Sequence, residues 1–151
     1  MSATAAPVTG VAGTYLTFQV ANEEYGIEIL KVREIIGMLP ITPVPGSPPV
    51  MQGVVNLRGK VIPVLSMRNR FGLPPGEPHE HNVIIVVDAG DNGQIGLAVD
   101  RVREVAIFTA ADTEPPPSYG MSIDASMVAA LGKSQNRIRI LLDLAKVLAS
   151  V

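Results

Sequence analysis

Short apolar runs, each closed by Gly, Pro, Asn or Asp, recur along the chain: YLTFQV at 15–20, VIPVL at 61–65, NVIIVVD at 82–88 and RIRILLDL at 137–144. They are rich in Val and Ile and too short for ordinary helices, which predicts many short strands joined by tight turns. Helical spacing is brief. It is confined to Leu65–Phe71, to Ser47–Met51 after Pro48, and to Leu142–Leu148, where Leu142, Leu144, Val147 and Leu148 fall roughly on one side. The expected class is all-β with short helices, one of them C-terminal. The stretch GVVNLRGKVIPVL at 53–65 is apolar except for Asn56, Arg58 and Lys60. It reads as a β-hairpin turning at Leu57 to Lys60, with Gly59 supplying an unusual backbone angle. Pro63 cannot donate to a ladder, so its strand is expected at a sheet edge or with a bulge there.

An internal repeat sharpens this picture. YGIEILKVREII at 25–36 aligns with IGLAVDRVREVA at 95–106, so that Gly26, Val32, Arg33 and Glu34 meet Gly96, Val102, Arg103 and Glu104, each 70 residues apart (96 − 26 = 70). Asn22 and Asn92 meet in the flanking turns, and the Pro-rich passages PITPVPGSPP and TEPPPS fall in similar places. VIPVLSM at 61–67 resembles IRILLDL at 138–144 in apolar rhythm. Half of the chain buries little alone, so each repeat is expected to close into a five-stranded barrel and pack on the other. The halves are taken as about 14–80 and 81–151, after a flexible tail at 1–13.

Composition removes several kinds of chemistry. The 151 residues suit one compact domain or two very small ones sharing a core. With no cysteine, disulfides, thiolate metal sites and cysteine nucleophiles are excluded. Twelve Lys and Arg against fourteen Asp and Glu, without a block of one sign, argue against nucleic acid or an anionic membrane as partner. A small barrel that binds oligonucleotides needs stacking aromatics, and only three Phe, three Tyr and no Trp are present. No segment reads as a signal peptide or membrane span, and a cytoplasmic location is expected. His79 and His81, with Glu77 and Glu80, are the one cluster resembling metal ligands, but they lie among Pro and Gly and read as a solvated loop. No catalytic motif is found, and no cofactor, metal or small-molecule substrate is expected.

The order EEYGIEILKVREI, GVVNLRGKVIPVLSMRNRFG, VDRVREV, RIRILLDLAKVL resembles the CheW family of bacterial chemotaxis coupling proteins, from Thr14 to the C-terminus. The resemblance implies two packed, five-stranded SH3-like barrels. It also implies a scaffold without chemistry, joining the cytoplasmic tips of chemoreceptors to the regulatory domain of the histidine kinase CheA at membrane-associated arrays. An adaptor of another chemosensory pathway, or the regulatory domain of such a kinase itself, is the alternative. On the residues alone, Arg58 is either a solvated turn residue or an interface arginine, and Val32 is either core or surface. The resemblance favours Val32, Glu34, Asn56, Leu57, Arg58 and Gly59 as receptor-binding candidates, with Val32 and Glu34 on one face if that segment is extended. Tyr119 and Pro117, on a stiff loop, are candidates for a kinase contact. The second half has GKSQN in place of NLRG and so lacks the arginine.

Overall fold

The β-branched runs form strands β1 (Gly13–Val20), β2 (Glu23–Glu28), β3 (Val32–Gly37), β4 (Met51–Leu57), β5 (Lys60–Ser66), β6 (Val83–Asp88), β7 (Gln94–Val99), β8 (Arg101–Phe108), β9 (Thr113–Glu114), β10 (Val128–Ser134) and β11 (Arg137–Leu142). Helices α1 (Met67–Arg70) and α2 (Leu144–Val147) are single turns. The computed structural model describes residues 12–76, 80–117 and 123–149. Among these, no helix is long and apolar enough to cross a membrane. The helix expected at Ser47–Met51 does not form. The segment makes a single turn, closed by the Met51 amide on the Pro48 carbonyl at 2.9 Å, before Met51 enters β4.

Two sheets result, ordered β3-β6-β7-β5-β4 in the first barrel and β8-β1-β2-β11-β10-β9 in the second. Each draws strands from both halves of the chain, since β1 and β2 join β8 to β11 while β6 and β7 join β3 to β5. The repeat survives this exchange. Replacing β3, β6, β7, β5 and β4 by β8, β1, β2, β11 and β10 turns one order into the other. Register agrees too: β5 runs parallel to β7 with Val64 opposite Gly96, and β11 runs parallel to β2 with Leu141 opposite Gly26. Beyond the 70-residue offset of β2/β7 and β3/β8, the strands β4/β10 and β5/β11 and both helices are offset by 77 (143 − 66 = 77, from the N-caps Ser66 and Asp143). Val61 therefore matches Ile138, the same match that apolar rhythm suggests. The sixth strand, β9, corresponds to a single bridge between Thr42 and Val54 in the first barrel.

The largest core lies between the barrels, where Leu16, Phe18, Tyr25 and Ile27 meet Leu65, Met67, Ile85, Val87 and Leu97. Smaller cores fill the barrels: Val55, Leu57, Ile62, Val64, Ile84 and Val86 in the first, and Tyr15, Phe108 and Leu141 in the second. At about 2 kcal/mol per buried aliphatic side chain, this burial outweighs any surface ion pair as the force holding the fold. Pro63 is not on an edge strand, because β5 lies between β4 and β7. It is tolerated for two reasons. A hairpin closed at Leu57 and Lys60 makes Val54 and Pro63 a non-hydrogen-bonded pair, and the ladder to β7 begins only at Val64.

Candidate functional site

The β4–β5 hairpin closes with Leu57 opposite Lys60, leaving a two-residue turn of Arg58 (φ 52°) and Gly59 (φ 84°). Positive φ at both central positions makes it a type I′ turn, whose twist matches that of paired strands. The Asn56 Oδ1 accepts a hydrogen bond from the Gly59 amide at 2.8 Å, fixing the loop. Gly59 meets the backbone requirement freely, but Arg58 does not. The left-handed region disfavours a residue with a Cβ, and Asn or Gly is the usual occupant of its place. An arginine there is retained against local preference.

Its side chain is 69% exposed and meets Glu34 through two parallel hydrogen bonds, Nη2 to Oε2 at 2.6 Å and Nη1 to Oε1 at 3.1 Å. β3 and β4 are the two terminal strands of their sheet, so curvature brings Glu34 to the turn and the pair spans the open seam. The Arg58 guanidinium, by hydrogen bonding above all, holds the Glu34 carboxyl below its ordinary value, and Glu34 raises Arg58 further. Two of the residues singled out in the sequence are thus brought together.

Others are placed differently. Val32 pairs with Val87 but Glu34 pairs with Val86, so Arg33 is a bulge residue and the alternation reverses across it. Val32 and Glu34 consequently point to opposite faces, which corrects the shared face expected for a regular strand. Val32 packs on the inter-barrel core. Leu57, 8% exposed, faces inward with Val55 and Ile62 and takes no place on the surface. Pro117 is exposed, whereas Tyr119 lies outside the described residues. His79 and Glu77 lie outside them as well. Among the described residues, no group of three or more His, Asp or Glu is placed to hold a metal.

Exposed apolar side chains complete the surface, and sequence reasoning missed them. Val61, 66% exposed, lies across the ladder from Asn56, and Ile35 follows Glu34. Their repeat counterparts, Ile138 and Val105, are exposed as well. That equivalence was the signal available in the sequence. A second strip runs along β8. Val105 and Ile107 share the face of Leu16 but emerge from the inter-barrel core into solvent. Beside Ile107's partner Thr14 is a cleft of about 290 Å³ lined by Tyr15, Glu28, Ile29 and Leu30, the last 89% exposed.

In the second barrel the equivalent glutamate, Glu104, has different partners. It meets Arg137 at 3.2 Å and Arg139 at 3.1 Å, and Glu24 adds contacts to Arg103, Arg137 and Arg139 at 3.3, 3.2 and 3.3 Å. Arg139 is 1% exposed. The turn corresponding to Arg58–Gly59 is Gln135–Asn136, with φ of 55° and 62°.

Comparison with known proteins decides the family. The family model for the CheW-like domain matches residues 14–151. The chain belongs to the CheW-like family. It is 36% identical over 140 residues to the chemotaxis protein CheW of Klebsiella aerogenes, covering 93% of this chain and 84% of that protein. Against the chemotaxis protein CheW of Rhizobium meliloti it is 33% identical over 135 residues, covering 89% and 86%. The crystal structure of the scaffolding protein TtCheW from Thermoanaerobacter tengcongensis superposes with a TM-score of 0.81 at 32% identity, covering 91% of this chain and 88% of that one. The CheW-like fold accounts for the two SH3-like barrels.

Proposed function

We propose that this chain is a non-enzymatic adaptor that couples the cytoplasmic tips of chemoreceptors to the regulatory domain of the histidine kinase CheA. It acts in the cytoplasm and is recruited to membrane-associated receptor arrays. The observation that carries this reading is Arg58: an arginine in a backbone region that suits glycine, oriented by Glu34 and left in solvent, with the apolar Val61 and Ile35 exposed on the strands that hold the pair. A long stem on apolar surface, ending in a fixed fork of donors, is the make-up of an interface hot spot. Family membership and the scaffolding neighbour add support. The strip of Leu30, Val105 and Ile107 beside the cleft gives a helical hairpin a second apolar footing continuous with the inter-barrel core. The loop bearing Pro117 and Tyr119 is assigned to the kinase.

An adaptor of this kind controls the kinase by binding its signalling states with unequal affinity, since equal affinity for both would switch nothing. Co-sedimentation of the purified protein with a chemoreceptor cytoplasmic fragment, and separately with the kinase regulatory domain, tests the reading. Association with both is expected, and association with neither overturns it.

A further inference from the structure

The two barrels treat the cations at their mouths differently. By strand and register, Arg33 matches Arg103, Lys60 matches Arg137, and Gln94 matches Glu24. In the second barrel Glu24 lies between Arg103 and Arg137 and engages both, at 3.3 and 3.2 Å. In the first barrel that place is held by a neutral glutamine. Lys31, Arg33 and Lys60 are exposed, and among the described residues none of them forms an ion pair. The carboxylates nearby are otherwise placed. Glu34 is taken by Arg58, Asp88 opposite Gln94 accepts from the Gly90 amide at 3.0 Å, and Asp91 lies in that same exposed turn.

We infer that Lys31, Arg33 and Lys60 form an electrostatic rim around the Arg58 surface that receives acidic side chains of a helical protein partner. The inference rests on the receptor reading above and adds the chemistry of that partner's contacting face. Charge at the rim of an interface mainly speeds and orients encounter, and it does so best when no internal carboxylate cancels it. The second barrel shows that this architecture can supply such a carboxylate, and here the position is glutamine. Val61 and Ile35, next in sequence to Lys60 and Glu34, are exposed and apolar, which suits protein side chains, and neither supplies the aromatic stacking a nucleic-acid site uses.

The test is the association rate with a chemoreceptor cytoplasmic fragment, measured by stopped flow at low salt and at about 0.5 M salt, where charges beyond contact are screened. The wild-type protein is compared with Gln94→Glu, which restores the missing carboxylate, and with Arg33→Gln/Lys60→Gln. Both variants are expected to associate about three- to tenfold more slowly at low salt and at the wild-type rate at high salt. A wild-type rate that is insensitive to salt and unchanged in both variants overturns the inference while leaving the receptor reading intact. Absence of any wild-type binding overturns the receptor reading itself. Wild-type capture of single-stranded DNA or of anionic vesicles that is lost in Arg33→Gln/Lys60→Gln, with receptor association unaffected, reassigns the rim and also overturns the proposal.

Discussion

The glutamates of the two VRE segments, Glu34 and Glu104, start from the same place and end in different company. Strand order, parallel register and even the bulge at the preceding arginine are shared: β1 passes from Glu104 to Val102 between Thr17 and Phe18, as β6 passes from Glu34 to Val32. Yet Glu34 meets one exposed arginine on a turn, while Glu104 meets Arg137 and the buried Arg139, whose counterpart in the first barrel is Ile62. One scaffold thus uses the same carboxylate in two ways. In the second barrel it compensates a buried cation and belongs to the architecture. In the first, nothing buried depends on it, so its partner is available to select for binding.

The largest effect expected is at a glycine that only one barrel has. A Cβ on Gly53 would run into the Thr42 carbonyl oxygen, at a φ of +154°, whereas its counterpart in the second barrel is Ala130. Gly53→Ala should cost about 3 kcal/mol or more in denaturant unfolding, and Ala130→Gly about 1 kcal/mol. Similar costs for both would mean that the barrels are closer in this region than the geometry says. Next comes the ion network. Arg139→Ala leaves Glu24 and Glu104 with less of their compensation and should destabilise by about 3 kcal/mol, while Arg58→Ala should leave the melting temperature within about 3 °C. An Arg139→Ala protein as stable as Arg58→Ala would erase the distinction between architectural and surface pairs.

The smallest effect concerns protonation. The Glu34 carboxyl is held below its ordinary 4.5 by Arg58, so the pair is complete at neutral pH and is lost as pH falls through that lowered value. In an NMR titration the Glu34 midpoint should lie below 4.5 in the wild-type protein and move up in Arg58→Ala. An unchanged midpoint would mean that the two side chains do not meet in solution.

Much of this was legible from residue pattern. The repeat predicted paired barrels, and the NLRGK turn predicted the hairpin where it forms. Long-range strand pairing was not legible, because nothing local to β1 and β2 says that they complete the second sheet with β8 and β11. The bulge at Arg33 escaped for a related reason. Period-two reasoning assumes unbroken pairing, and one extra residue reverses every face beyond it. Leu57 was included among the receptor-binding candidates as part of NLRG, although alternation from Val55 puts its side chain inside. Pro63 suggested an edge, whereas register alone decided where its missing N–H would do no harm.

The central claim is that Arg58 is kept for binding at some expense to the turn. The most direct test is Arg58→Asn, which supplies a residue suited to a type I′ turn while removing the guanidinium. Thermal unfolding and the affinity for a chemoreceptor cytoplasmic fragment should be measured on the same preparation. The account predicts a melting temperature equal to or above that of the wild-type protein, with affinity reduced about tenfold or more. A protein that melts well below wild type while binding with unchanged affinity would show that Arg58 serves the fold and not the partner.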